Sequence, residues 1–123
     1  HYYDPYDFTL NQYGTSSWDQ SAYGEAYMAA QLAKVTNKGY PVFIGEYCAN
    51  FKNNISAVAL YNKTLNQKAK AVTNVSVSTA YWDNGVIGVS ANGSGLIDRR
   101  FNAVTSTGST IIAELMSVYP TAS

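Results

Sequence analysis

Residues 40–46 read Tyr40-Pro41-Val42-Phe43-Ile44-Gly45-Glu46, an apolar run that ends in a carboxylate. Apolar residues at consecutive positions are typical of a strand that is covered on both faces, as in a parallel sheet. Pro41 is compatible with this prediction because proline is tolerated at the first residues of a strand. Ligands of open α/β sheets bind outside the carboxyl ends of the strands. Glu46 is therefore the first candidate for a functional residue.

Helical patterns lie on both sides of this strand. The first predicts a helix over about residues 21–37, with Gly39 as a stop just beyond it. One face of this helix carries small residues, which would let it lie close against a sheet: Ala22, Ala26, Ala29, Ala30 and Ala33. A second amphipathic pattern predicts a helix over about residues 56–73. A third predicts a closing helix with one apolar face, formed by Ile112, Leu115, Met116 and Tyr119.

Residues 75–82 alternate β-branched or aromatic residues with small or polar ones, which predicts a second strand. Residues 85–108 are rich in glycine and asparagine and are predicted to be a loop. Strands that alternate with helices indicate βαβ units and a parallel α/β sheet. Two whole strands and a partial one near His1 are too few to close a barrel of about 250 residues. They would also leave sheet edges open.

The composition excludes several classes of function. The 123 residues are sized for one domain, 1–123, and 46% of them are hydrophobic, as in proteins that bury a core. The net charge is zero, so the basic footprint of a nucleic-acid-binding protein is missing. No stretch approaches the roughly 20 apolar residues of a membrane span. Cys48 is the only cysteine, so no intrachain disulfide or thiol-metal cluster is predicted, and we expect no cofactor or metal.

The eleven tyrosines and two tryptophans point instead to a neutral, polymeric partner. Aromatic rings stack on the flat apolar faces of sugars, and phenol and indole groups donate hydrogen bonds. Packing in the core is the alternative role for any one of these rings.

Four strings of residues occur in order along the chain, the first three at the ends of the predicted strands and the fourth in the predicted loop. They are His1-Tyr2-Tyr3-Asp4-Pro5-Tyr6-Asp7-Phe8-Thr9, Gly45-Glu46-Tyr47, Tyr81-Trp82-Asp83-Asn84-Gly85 and Gly95-Leu96-Ile97-Asp98-Arg99. Together they resemble the last three strand-helix units of glycoside hydrolase family 5, and in particular its bacterial and rumen-fungal cellulases. The resemblance spans nearly the whole chain. It implies that the chain is the C-terminal part, about three of eight strand-helix units, of a (β/α)8 TIM barrel.

The resemblance also implies roles for individual residues. Glu46 would be the nucleophile of a retaining glycosidase, which forms a glycosyl-enzyme intermediate. Tyr3 would donate a hydrogen bond to this carboxylate, and His1 would bind the sugar or the surrounding network. Trp82 would be the stacking platform for the sugar at the cleavage point.

Three further residues have two interpretations. Asp83 and Asn84 follow the platform and would bind hydroxyl groups of the sugar, or they would serve the turn before Gly85. Trp18 would face a more distant sugar subsite, or it would be a loop aromatic that covers the end of a helix.

The second carboxyl group of a retaining glycosidase is missing from the sequence. In the family it is a glutamate that follows an asparagine after the fourth strand, and this chain contains no Asn-Glu pair. Glu25 and Glu114 lie on the polar faces of predicted helices, where solvated carboxylates are the default. We therefore expect a partial catalytic domain, inactive as an isolated chain, whose acid/base lies upstream of His1.

The resemblance implies a secreted endoglucanase that acts on β-1,4-glucan, with a preference among glucans or mannans that the sequence does not specify. Its other expected partner is the missing barrel segment, or a further copy that pairs with the open sheet edges. The alternative function is a non-catalytic, carbohydrate-binding or self-assembling barrel fragment. A copper site at the terminal His1 is not expected, because the chain has no second histidine.

Overall fold

The computed structural model describes residues 1–88 and 92–119. Helices and strands alternate in the following order: α1 (Tyr6–Thr9), α2 (Gln20–Tyr23), α3 (Glu25–Thr36), β1 (Val42–Tyr47), α4 (Ile55–Ala71), β2 (Val77–Tyr81), β3 (Ile97–Asp98), β4 (Ala103–Val104) and α5 (Ser106–Met116). None of the helices within these ranges has the length and the apolar character needed to cross a membrane.

The strands β1 and β2 are parallel and pair directly, with Ile44 opposite Thr79. The chain near its first residue runs along the other side of β1. There Tyr2 forms a parallel bridge with Tyr47, and its backbone N–H donates to the carbonyl of Glu46 at 2.9 Å. Three parallel segments therefore end at one edge, which we call the carboxyl edge of the sheet.

The pairing of β1 with β2 is interrupted close to this edge. Ile44 pairs with Thr79 but Tyr47 pairs with Tyr81, so β1 has one more residue than β2 over the same length. An extra residue of this kind, a β-bulge, bends the strand and re-aims a side chain. Ile44 and Tyr47 are both part of the buried core although they are three residues apart. In an unbroken strand Glu46 would share the core-facing side with Ile44.

The core lies between the sheet and the helices. The helix α4 packs against α3, α5 and β2, and its buried face includes Val58, Tyr61 and Leu65. Asn66 of the same helix is also buried, and its side-chain oxygen accepts hydrogen bonds from Thr79 at 2.8 Å and from Tyr119 at 2.9 Å. Because a buried amide must find partners, Asn66 fixes the helix against β2 and against the segment that follows α5.

The predicted helix over residues 21–37 differs from the structure in two respects. It is divided at Gly24, whose backbone leaves the helical region (φ −86°, ψ −144°) and where a Cβ would lie only 2.1 Å from the carbonyl oxygen of Gln20. The alanine face is not the buried one. The buried residues of α3 are Met28, Leu32 and Thr36, which repeat every four residues. Their longer side chains fill the space against the core, which alanine would leave empty.

The prediction of a loop over residues 85–108 is wrong in part. The hairpin of β3 and β4 lies within it, and α5 begins at Ser106. Two-residue strands carry too little alternation to be recognised in a sequence. The predicted apolar face of the last helix is also displaced, since Ile111 is fully buried whereas Met116 is 54% exposed. Tyr119 lies beyond the end of α5.

The strand over residues 40–46 is present, but only one of its faces is covered by the described part of the chain. Ile44 is buried, whereas Phe43 is 67% exposed. Phe43 pairs with Ser78, which is also exposed. An apolar side chain on this second face is expected for a strand that is covered on both sides in a closed barrel.

Candidate active site

Glu46 lies at the carboxyl edge, at the β-bulge of β1. The phenol of Tyr3 donates a hydrogen bond to its Oε2 at 2.9 Å. The Nδ1 of His1 lies 3.0 Å from the same oxygen. The Glu46 side chain is 28% exposed, so the carboxylate is partly buried and still open to solvent.

The two contacts leave the other carboxylate oxygen, Oε1, without a partner among residues 1–88 and 92–119. A carboxylate with one oxygen fixed has a restricted rotamer, while the second oxygen keeps its lone pairs. This is the arrangement in which a carboxylate can attack an electrophilic carbon.

The environment of Tyr3 keeps its phenol protonated, so that it can donate a hydrogen bond. Burial raises the pKa of its phenol above the ordinary value, and the hydrogen bond to the Glu46 carboxylate raises that pKa further. The phenol therefore stays protonated across the neutral range. Its position is set by the short extended segment at the start of the chain, which β1 holds through Tyr2.

Trp82 follows β2 and reaches the same edge. Its backbone N–H donates to the carbonyl of Tyr47 at 3.0 Å, so the platform candidate and the residue after Glu46 are directly connected. The indole is 45% exposed, in contrast to the buried aromatic residues of the core. An exposed indole at the same sheet edge as the carboxylate offers a flat apolar surface for a sugar ring.

Asp83 and Asn84 serve the loop that follows Trp82. The carboxylate of Asp83 accepts from the N–H of Gly85 at 2.7 Å and from that of Leu96 at 3.0 Å. The amide oxygen of Asn84 accepts from the N–H of Val86, and its Nδ2 donates to the carbonyl of Asn92 at 2.8 Å. These contacts support the interpretation that Asp83 and Asn84 stabilise the turn before Gly85. Their role in binding sugar hydroxyls stays a prediction.

Trp18 lies in the core rather than at the carboxyl edge. It is only 9% exposed, and its ring packs edge-on against Tyr61 at a centroid distance of 5.4 Å. A sugar platform requires an open face, whereas this residue is almost wholly covered. The prediction of a subsite at Trp18 therefore gives way to the packing interpretation.

The other two glutamates lie on helix surfaces, as expected. Glu25 pairs with Lys68 at 3.2 Å and Glu114 pairs with Lys63 at 2.8 Å. The part of the chain that the structure describes also contains no group of three or more His, Cys, Asp and Glu residues that could hold a metal ion.

Two residues that support the site were not identified from the sequence. The amine of Lys52 donates to three backbone carbonyls, those of Asp7 at 3.1 Å, Asn11 at 2.8 Å and Thr15 at 3.0 Å. Asn50 donates to the carbonyl of Leu10 and to the side chain of Asn92, each at 3.2 Å. These contacts join loops more than 35 residues apart in sequence, and local sequence patterns carry no signal for them.

Comparison with known proteins agrees with this geometry. Residues 1–87 match the family described as Cellulase (glycosyl hydrolase family 5). Endoglucanase A from Paenibacillus barcinonensis is 32% identical over 124 aligned positions, which cover 85% of this chain and 30% of that protein. The xyloglucan-specific endo-beta-1,4-glucanase of Bacteroides ovatus is 34% identical over 105 positions, covering 69% of this chain and 21% of that protein.

A solved structure extends the similarity to the fold. The GH5-4 broad specificity endoglucanase from Ruminococcus champanellensis with bound cellotriose superposes with a TM-score of 0.78 at 31% identity. The superposition covers 94% of this chain and 33% of that one. This chain thus spans about a third or less of the length of these relatives.

The prediction of a partial (β/α)8 barrel is therefore confirmed. The strand-end positions of His1, Tyr3, Glu46 and Trp82 are consistent with it. On the match of residues 1–87 and the similarity to these endoglucanases, the chain belongs to the cellulase family, glycosyl hydrolase family 5.

Proposed function

We propose that this chain carries the nucleophile side of the active site of a retaining endo-β-1,4-glucanase, with Glu46 as the nucleophile. The observation that carries the proposal is the Glu46 carboxylate, held through Oε2 by Tyr3 and His1 at the sheet edge that also carries the exposed Trp82. The names of the relatives support the substrate class, since they are endoglucanases and one has been solved with cellotriose bound.

In the proposed reaction Oε1 of Glu46 attacks the anomeric carbon of the sugar that lies on Trp82. The bond from this carbon to the leaving-group oxygen breaks through an oxocarbenium-like transition state, and a glycosyl ester forms on Glu46. A general acid protonates the departing oxygen. Water then attacks the same carbon and releases the sugar and the carboxylate, while the former acid takes the proton from the water.

The general acid is proposed to come from outside this chain. Retaining glycosidases hold their two carboxyl groups about 5 Å apart. The other two glutamates pair with lysines on helix surfaces, and Asp83 is occupied by backbone N–H groups. Loss of general acid assistance alone lowers the rate by about 10²–10⁴-fold, so the isolated chain should be a poor catalyst. Because a polymeric glucan does not cross a membrane, we also propose that the protein acts outside the cell.

The nucleophile is tested with a substrate that needs no general acid. The reagent is 2,4-dinitrophenyl 2-deoxy-2-fluoro-β-cellobioside, whose leaving group departs as a stable phenolate while the fluorine slows hydrolysis of the ester. The protein is a chimaera in which this chain replaces the matching part of Paenibacillus barcinonensis endoglucanase A, so that the barrel is complete. We expect one covalent adduct, on the peptide that contains Glu46, by mass spectrometry.

Two variants make this experiment decisive. Glu46→Gln should form no adduct and should lose on the order of 10³-fold or more in kcat on cellulose derivatives, since a nucleophile is removed. Glu25→Gln, on the helix surface, should label and turn over like the parent protein. An adduct on another residue, or unchanged labelling of Glu46→Gln, would contradict the proposal.

A further inference from the structure

After Trp82 the chain comes back to the end of β2, where Ser94 contacts it. This residue is fully buried. Its hydroxyl donates to the carbonyl of Trp82 at 3.1 Å, and its own carbonyl accepts from the phenol of Tyr81 at 2.8 Å. Its N–H donates to the side chain of Asn84 at 3.2 Å. Ser94 is thus bound to Trp82 itself, to the residue directly before it and to the residue two positions after it.

The residues on either side of Ser94 make this close return possible. A Cβ on Gly93 would lie 2.3 Å from the carbonyl oxygen of Gly88, and a Cβ on Gly95 would lie 2.9 Å from that of Val86. Both distances are too short for any side chain. The sequence Gly93-Ser94-Gly95 therefore brings one hydroxyl against the end of β2 where larger residues could not enter.

The indole of Trp82 depends on its backbone for its orientation. No hydrogen bond or ring contact from the described residues holds the ring itself, and it is 45% exposed. The peptide groups on either side of it are both fixed. The N–H of Trp82 donates to Tyr47 at 3.0 Å, and its carbonyl accepts from Ser94.

We propose that Ser94 is a positioning residue, which holds the backbone of Trp82 against the end of β1 and thereby sets the indole relative to the Glu46 carboxylate. This inference rests on the proposed function, because it assigns Trp82 the part of a sugar platform. The Ser94 side chain also lies beside the thiol of Cys48, two residues after Glu46. The hydroxyl therefore lies between two segments of the backbone, the one that carries Glu46 and the one that carries Trp82.

The first test is independent of catalysis. The 123-residue chain has two tryptophans, so in a Trp18→Phe background all tryptophan fluorescence comes from Trp82. We expect Ser94→Ala in this background to shift the emission and to raise the acrylamide quenching constant about twofold. Tyr81→Phe removes the neighbouring hydrogen bond to the same loop but leaves the Ser94 hydroxyl in place. It should change the emission little.

The second test uses the chimaera and a double-mutant cycle on aryl β-cellobioside hydrolysis. We expect kcat/KM to fall about 10-fold in Ser94→Ala and by a similar or larger factor in Trp82→Ala. If Ser94 acts through Trp82, the double variant should be no worse than Trp82→Ala alone, because coupled residues are not additive. Glu25→Gln, on a helix surface where it pairs with Lys68, shares no partner with Trp82 and should combine with Trp82→Ala additively.

The outcomes separate the two proposals. Additive effects of Ser94→Ala and Trp82→Ala, or unchanged quenching of Trp82, would overturn the positioning role even if Glu46 forms the expected adduct. Failure of the Glu46 labelling would remove the proposed function without altering the fluorescence result. If Ser94→Ala does not fold by circular dichroism, Ser94→Cys, which is similar in volume and a weaker donor, takes its place.

Discussion

Two side chains contact one oxygen of Glu46, and they differ in how firmly they are held. His1 is 60% exposed and has solvent on most of its surface. Tyr3 is partly buried, and its pKa is raised by burial and by its bond to the carboxylate. Hydrogen bonds to charged groups are stronger when the donor is fixed and shielded from water. Tyr3 should therefore contribute more than His1 to the orientation of the carboxylate.

The variant Tyr3→Phe tests this difference. Loss of one hydrogen bond to a charged group costs about 1.5–3 kcal/mol, which corresponds to a fall in kcat of about 10–150-fold if the bond persists in the transition state. Steady-state kinetics of the chimaera on aryl β-cellobiosides would measure it. The matched control is Tyr27→Phe, whose phenol donates to Asp4 at 3.1 Å on the exposed surface. A fall in kcat no larger than that of the control would contradict the assignment.

At the scale of elements, the loops at the carboxyl edge are fixed by polar side chains rather than by apolar packing. The clearest case is Lys52, whose amine is surrounded by the carbonyls of Asp7, Asn11 and Thr15. Its ammonium also lies 5.8 Å from the ring centroid of Phe8. One side chain from the β1–α4 connection thus joins α1 to two points of the loop that follows it.

Replacing Lys52 with methionine should loosen this loop. The change keeps most of the side-chain length but leaves three carbonyls without their shared donor, so we expect a loss of about 1–3 kcal/mol in the free energy of unfolding. Urea denaturation followed by circular dichroism would measure it. Lys34→Met is the control, because Lys34 is an exposed helix residue whose amine donates to the side chain of Gln31. Equal stability of the two variants would show that the carbonyl cluster contributes nothing.

The order of the main elements could be predicted because it depends on local periodicity. The strand around Ile44 and the helix around Leu65 carry their patterns over enough residues to be recognised. The buried face of α3 could not be assigned from the sequence. Its alanines and the residues Met28 and Leu32 are all apolar, and only the packing of the surrounding core shows which of them are buried. The hairpin of β3 and β4 is too short for any pattern.

The candidate site could be predicted only in part, for a related reason. Glu46 ends one predicted strand and Trp82 ends the next, so the topology predicts that both lie at the carboxyl edge. The contacts of Lys52 and Ser94 depend on loops that meet in three dimensions. Trp18 is a tryptophan in a polar loop, and only the structure shows that Tyr61 covers it.

At the scale of the whole molecule, the tyrosines dominate the response to alkaline pH. Six of the eleven have a raised pKa, and burial is the first cause in each. Burial also raises the pKa of the Cys48 thiol to about 11. In the unfolded chain these groups lose their protons at lower pH. The unfolded state therefore binds fewer protons than the folded state above about pH 9, and stability falls as pH rises.

Tyr61→Phe provides a specific check of this dependence. The Tyr61 hydroxyl is buried without a hydrogen-bond partner among the described residues, so its removal should change stability at pH 7 by less than about 1 kcal/mol. The variant should lose less stability than the parent between pH 9 and pH 11, as measured by urea denaturation. A parallel decline in both proteins would contradict the role given to this phenol.

The isolated chain should also self-associate. Phe43 is 67% exposed on the sheet face that the described residues leave uncovered, and Val35 is 51% exposed nearby. A groove of about 450 Å³ lies between them and the first residues of the chain. Sedimentation should therefore show association that increases with concentration. Phe43→Lys should weaken it, whereas Tyr13→Lys, on a loop, should not. A monomer at every concentration would exclude the self-assembling alternative.

The bulge in β1 has a consequence for how this site can be altered. The orientation of the Glu46 side chain follows from the number of residues between Ile44 and Tyr47. Tyr47 pairs with Tyr81, whereas in an unbroken strand it would pair with the next residue of the partner strand. Deleting a single codon there would restore regular pairing and remove the bend that aims the carboxylate. Point substitutions across the strand would leave that count untouched. A library of insertions and deletions should therefore tolerate no change in the number of residues between Ile44 and Tyr47. That number, rather than the chemistry of the flanking side chains, is constrained.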